Sequence, residues 1–161
     1  MSPAQAESID GRDLSAKIRA ELPPHGTPSH AYLFHGPPGA GKRTAARSLA
    51  AALLAEGAPD PDGVAARVAR DSHPDLTWVR PRGAAEMLVG DVLEALAAGS
   101  HTPFEATRRV LVIEDAHLMN DQAANRLLKT LEDPPSFVHL ILLAHRPRDL
   151  LATVASRCRP L

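Results

Sequence analysis

The eight residues from Gly36 to Arg43, GPPGAGKR, have the types and spacing of a loop that holds phosphate. Gly36, Gly41 and Lys42 fill the fixed places among the first seven of G-x-x-x-x-G-K-[ST], with Pro37, Pro38, Gly39 and Ala40 between them. Small residues in such a run let successive backbone N–H groups turn towards phosphate oxygens, and the helix that follows adds its positive end. Lys42 then reaches the β- and γ-phosphates. The eighth place breaks the pattern. A Ser or Thr there would ligate Mg²⁺ through its hydroxyl, whereas Arg43 offers only donors and a positive charge. Thr44, one residue on, is turned about 100° around the helix and does not replace that ligand. The plain alternatives are a glycine-rich strand-to-helix turn and a solvated surface arginine.

A second charged group follows the aliphatic run RVLVI, 109–113. Glu114 and Asp115 resemble a Walker B pair, in which the first acid holds Mg²⁺ and the second polarises the attacking water. Their order is the reverse of the usual Asp-Glu. Each carboxylate is therefore displaced by about one methylene, and a misplacement near 1 Å can cost about 10²-fold in rate. An acidic pair at the solvent edge of any strand is the plain alternative. Both motifs depart from pattern at the metal and water positions, so the Mg²⁺ site is weakened.

These residues need a strand before the loop, a helix after it and a second strand behind the acids. The apolar run HAYLFH, 30–35, supplies the first, and GKRTAARSLAAALLAE, 41–56, is rich in strong helix formers. RVLVI reads as a strand covered on both faces. Further strands are predicted at 75–81 and 137–144. Helices are predicted at 12–22, from Leu14, Ile18 and Leu22, and at 84–99, from Met87, Val92, Leu93 and Leu96. Another runs from an Asn120 cap through Leu127, Leu128 and Leu131, and the last covers 147–157, opened by Pro147. Residues 57–72, with two prolines and two glycines, read as an irregular connector with a helical turn or two. Four strands alternating with helices predict an α/β fold with a mostly parallel sheet between helical layers. Residues 1–28 form a helix and lead-in, and 29–161 the nucleotide-binding core. The chain stops after a helix where a further strand is expected, which reads as a piece of a longer protein.

Composition narrows the class. The 161 residues carry a net charge of −1, which points to neither a nucleic-acid nor a membrane partner. Cys158, the one cysteine, excludes an internal disulfide and a multi-thiolate zinc site. It is no candidate nucleophile, because no His-Asp constellation accompanies it. With no signal-like N-terminus and no long apolar run, a cytoplasmic protein is expected. His73 and Trp78 read as capping and packing the second strand.

From Ser29 to Arg159 the strings HAYLFHGPPGAGKRTAA, SHPDLTWVRP, TPFEATRRVLVIEDAHLMNDQAANRLLKTLEDPP and LLATVASRC resemble the N-terminal P-loop (AAA+) module of bacterial clamp loaders. They are most similar to the delta-prime subunit of DNA polymerase III. The resemblance implies a hetero-pentamer that acts in DNA replication, opening a sliding clamp and loading it onto primed DNA, with ATP at the subunit interfaces. It also implies that Arg157 of the SRC string reaches into a neighbour's ATP site as an arginine finger. The plain alternative is a helix-end arginine that favours the dipole. Delta-prime members are often rigid partners that bind or hydrolyse ATP poorly, which Arg43, Glu114 and Asp115 match. Related subunits carry a four-cysteine zinc module where this chain has GAPDPDGVAARVARDS, without a cysteine, so no zinc is expected. The family's lid and collar lie outside these residues, and His145 is the nearest candidate for its sensor, or else a solvent-edge histidine. The competing function is an autonomous ATPase using Lys42, Glu114 and Asp115. A small phosphotransferase is a poorer fit, because no acceptor-binding segment is evident.

Overall fold

The computed structural model describes residues 11–80 and 89–161. Strands β1 (Ala31–His35), β2 (Leu76–Val79), β3 (Arg109–Ile113), β4 (Val138–Ala144) and β5 (Arg159–Pro160) make one sheet in the order β2-β3-β4-β1-β5. All four pairings are parallel. Successive side chains on a strand point to opposite faces, and this alternation sorts the core into two halves. Leu33, Leu111, Ile113, Leu140 and Leu142 pack against α4 (Val89–Gly99), α5 (Asp121–Glu132) and α6 (Ala152–Ala155). Their neighbours Tyr32, Phe34, Val110, Val112, Ile141 and Leu143 pack against α1 (Gly11–Glu21), α2 (Lys42–Ala55) and α3 (Pro61–Ala69). The result is the three-layer α/β/α arrangement predicted from the sequence. Because both faces are covered, β3 and β4 read as nearly continuous apolar runs, interrupted in β4 by the buried His139.

The helices follow from their apolar spacing. On α2, Ala46, Leu49, Ala50 and Leu53 are fully buried three and four residues apart. Each such leucine contributes about 1.5–3 kcal/mol by burial. Leu14 and Ile18 of α1 are buried against the same half of the core, with Leu22 packed beside them. Asn120 caps α5, its side chain accepting the N–H of Ala123 at 2.9 Å, and Leu127 is fully buried.

Three expectations need correction. Residues 61–69 are not irregular but form α3: Asp60 accepts the N–H of Gly63 at 3.1 Å, Pro61 starts the helix, and Val64 and Val68 bury one face. Prolines and glycines act as breakers inside a helix, but a proline directly after an Asp cap starts one. The helix predicted over 147–157 is divided. Pro147–Asp149 is a 3₁₀ turn, Leu151 takes an extended conformation (φ −55, ψ 134), and only Ala152–Ala155 is α-helical. Beyond it Arg159 and Pro160 pair with Tyr32 and Leu33 as a fifth strand. Residues 84–88 of the helix predicted over 84–99, with Met87, lie outside the described residues.

One buried acid fixes the edge of the sheet. Asp75, wholly buried just before β2, accepts the N–H groups of Phe104 (2.5 Å), Glu105 (2.9 Å) and Ala106 (2.7 Å). This ties the segment leading into β3 to the start of β2. Among the described residues no helix is long and apolar enough to cross a membrane.

Candidate functional site

The loop leaves β1 after His35 and enters α2 at Lys42. Gly39 (φ 83) and Gly41 (φ 91) take left-handed conformations that any side chain would strain, which is why glycine stands at both. Lys42 folds over the loop, its Nζ donating to the Gly36 carbonyl at 2.5 Å. Unlike α3 and α5, α2 has no side-chain cap at its start and no acid in its first turn. Its first N–H groups therefore face the loop with their positive end uncompensated.

Beside the loop lies a cleft of about 500 Å³. Gly39, Gly41, Lys42, Arg43, Thr44 and Pro38 line it from the loop side. Glu114 and Asp115 close it from β3, and His145 from β4. The three strands end side by side, so the cleft occupies the carboxyl edge of a parallel sheet, where ligands of such folds bind. Burial and the nearby Arg43 guanidinium hold the Lys42 ammonium below its ordinary pKa, against the opposing pull of Asp115 and Glu114.

The two off-pattern residues meet. The Arg43 guanidinium hydrogen-bonds Glu114 through Nε and Oε1. Glu114 is buried, and its other oxygen accepts the Trp78 indole N–H at 3.0 Å and lies 3.4 Å from Arg80 Nε. The Trp78 ring itself is flanked by Arg47 and Arg80, whose guanidinium carbons lie 4.9 and 5.2 Å from its centre. Both arginines also reach Asp71. Here the structure adds to the sequence reading: Trp78 is a ligand of Glu114 as well as a packing residue. His73 does cap, its Nδ1 accepting the N–H of Asp75 at 3.0 Å.

This geometry separates two questions of fit. The glycine turns, Lys42 and the uncapped α2 suit a triphosphate. The metal position does not suit Mg²⁺, because the first acid is bonded to a guanidinium that comes from the hydroxyl place of the loop.

The second acid, Asp115, is in the left-handed region (φ 50, ψ 49) and points towards β4, with Oδ1 3.8 Å from His145 Nε2. The rings of His145 and His117 lie 4.3 Å apart. His117 was not singled out in the sequence, which shows only its place two residues beyond the acid pair. Burial, and after it the neighbouring His145, keep His117 below its ordinary pKa.

Arg157 lies elsewhere. It does not line the cleft; its guanidinium donates to the Thr153 carbonyl at 2.9 Å and lies 3.6 Å from Glu132. The register of β5, with Arg159 beside Tyr32, puts Arg157 near the edge where the strands begin, opposite the cleft.

The family model described as "DNA polymerase III, delta subunit" matches residues 14–161. The chain is 38% identical over 136 residues to DNA polymerase III subunit delta' of Pseudomonas aeruginosa, covering 81% of this chain and 42% of that protein. It is 37% identical over 138 residues to the subunit of that name from Bacillus subtilis, covering 83% and 41%. It thus spans about two-fifths of the length of these curated relatives. A DNA polymerase III gamma subunit-related protein of Thermotoga maritima shares the fold with a TM-score of 0.69 at 22% identity, covering 92% of this chain and 44% of that one. The RuvB Holliday junction branch migration motor of that organism aligns with a TM-score of 0.53 at 20% identity, over 92% and 42%. The chain therefore belongs to the DNA polymerase III delta-subunit family and has the P-loop AAA+ fold of its delta-prime members.

Proposed function

We propose that this chain is the nucleotide-fold module of a cytoplasmic clamp-loader subunit of DNA polymerase III, which holds ATP weakly and does not hydrolyse it effectively. The contact between Arg43 and Glu114 carries this reading. In a working site the first acid and the loop hydroxyl share a cation. Here one side chain takes the hydroxyl's place and neutralises the acid, so the charge that would recruit a metal is already matched. Lys42, Gly39, Gly41 and the start of α2 remain to bind phosphate. Asp115, turned towards His145, is poorly aimed to polarise a water at the γ-phosphate. An autonomous ATPase would need the opposite of both features.

The module would then act through its surface, as one member of a hetero-pentamer that opens a sliding clamp for primed DNA. Arg157 is exposed and remote from its own cleft, as a residue offered to a neighbour must be. A cation supplied across an interface stabilises charge on the γ-phosphate and is worth about 10³–10⁵ in rate in other phosphoryl-transfer systems. In a complex reconstituted with the other loader subunits, Arg157→Ala is expected to abolish most turnover at the adjoining ATP site. The melting temperature of the chain itself should shift by less than about 2 °C, because its two contacts are at the surface. Undiminished turnover at that site would overturn the finger assignment.

A further inference from the structure

We propose that Asp115, His117 and His145 form a binding site for a divalent transition-metal ion of the zinc class, distinct from the Mg²⁺ position at Glu114. Each of the three offers one ligand atom, and these atoms all lie within 4.8 Å of one another. Asp115 precedes the 3₁₀ turn that follows β3 and His117 sits within it, while His145 follows β4, the adjacent strand. The left-handed conformation of Asp115 turns the chain so that both of its ligands approach His145.

A second, independent observation concerns His117 alone. Its Nδ1 is buried and has no hydrogen-bond partner. A buried ring nitrogen without a partner is costly, and a coordinated ion is one way to satisfy it. The ligand chemistry selects the class. Two imidazoles and one carboxylate suit Zn²⁺, Co²⁺, Ni²⁺ or Fe²⁺, whereas Mg²⁺ prefers an all-oxygen shell. At metal–ligand distances near 2.0–2.1 Å, ligand atoms of a tetrahedral site stand about 3.3 Å apart. The widest present spacing must therefore close by about 1.5 Å, which side-chain rotation of the half-exposed His145 and Asp115 allows. Asp149 adds a favourable negative field at His117, and Lys42 opposes it.

The ion would join the tips of β3 and β4 and hold Asp115 as a ligand, away from any water at the γ-phosphate. Asp115 and His145 also line the cleft, so the remaining coordination positions face solvent. The site differs in ligands and position from the cysteine module of related subunits, which this chain lacks.

The test uses the tag-free, chelator-treated chain without nucleotide, so its outcome does not depend on the clamp-loader reading. Titration with Co²⁺ is expected to give visible d–d absorption that saturates at one ion per chain and is displaced by Zn²⁺. Mg²⁺ at equal concentration should not displace it. His145→Ala and Asp115→Asn, both at half-exposed positions, should each weaken binding at least about 10-fold. Cys158→Ser should leave it unchanged. Zn²⁺ about 100-fold above its Kd is expected to raise the melting temperature by about 5 °C. Absence of Co²⁺ binding, equal competition by Mg²⁺, or undiminished binding in either ligand variant would overturn the site.

Discussion

Asp75 and Glu114 are buried carboxylates at opposite ends of neighbouring strands, and they are satisfied by different kinds of donor. Asp75, at the start of β2, accepts three backbone N–H groups from residues 104–106. Glu114, at the end of β3, is matched by the side chains of Arg43, Trp78 and Arg80. Backbone donors persist whatever the side chains become, so Asp75 has one role, holding a loop to the sheet. Side-chain donors are replaceable, so a position like Glu114 can lose a metal and gain a guanidinium without disturbing the fold. The cleft shows the same division. Its phosphate half is made of backbone and glycine turns and stays on pattern, while its metal half is made of side chains and departs from it.

The largest expected effect tests the structural member of the pair. Asp75→Ala removes a wholly buried carboxylate and with it three charge-assisted hydrogen bonds, and chemical denaturation should show a loss of about 3–5 kcal/mol, or no folded chain. A loss below about 1 kcal/mol would break the comparison. Burial alone would push the Asp75 carboxyl up, but the N–H groups of Ala106, Glu105 and Phe104, with Arg109, outweigh it and hold its pKa below the usual value. Its contribution is therefore present above the ordinary carboxylate value and lost as pH falls through the lowered one.

A buried base sharpens the contrast at a milder pH. His139 on β4 lies 2.7 Å from the Ser29 carbonyl through Nδ1 and 2.8 Å from Arg108 through Nε2, a pairing that requires the neutral ring. Burial first, then Arg108 and His30, push its pKa down to about 4 despite the Ser29 carbonyl. The unfolded chain takes up this proton below about pH 6.5, the folded chain only below about 4. Stability should thus decline by about 3 kcal/mol between those values and then level off for this group. His139→Gln should flatten that decline in denaturation curves taken across the range. An unchanged slope would place the acid sensitivity elsewhere.

Smaller still is Glu114→Gln. Its partners Arg43 and Arg80 have half-exposed to exposed side chains that can rehydrate, so the cost should be about 1 kcal/mol. A loss equal to that of Asp75→Ala would erase the distinction between the two acids.

Much of this was legible in residue types. The loop glycines, Lys42, the aliphatic strands and the reversed acids are local patterns, and local patterns survive in a sequence. Arg43 was visible as an anomaly, but not its contact with Glu114, because that contact needs α2 to lie over the end of β3. Trp78 and Arg80 were hidden for a similar reason: only the register that sets Val79 beside Ile113 brings them to the acid. The α3 helix was legible only as a turn or two although Asp60-Pro61 signals its start, since two prolines and two glycines close together outweigh one cap. His117 gave no signal at all, because its meaning lies in the left-handed turn at Asp115 and in a neighbouring strand.

In the proposed function the Arg43 guanidinium stands where a metal ion would otherwise meet Glu114. The direct measurement is the affinity of the purified chain for ATP with and without Mg²⁺, repeated for Arg43→Thr. The unaltered chain should bind ATP with an affinity that Mg²⁺ changes by less than about 2-fold. Arg43→Thr should gain at least about 10-fold from Mg²⁺, or about 1.4 kcal/mol. A 10-fold gain already present in the unaltered chain, or none in the variant, would contradict the account.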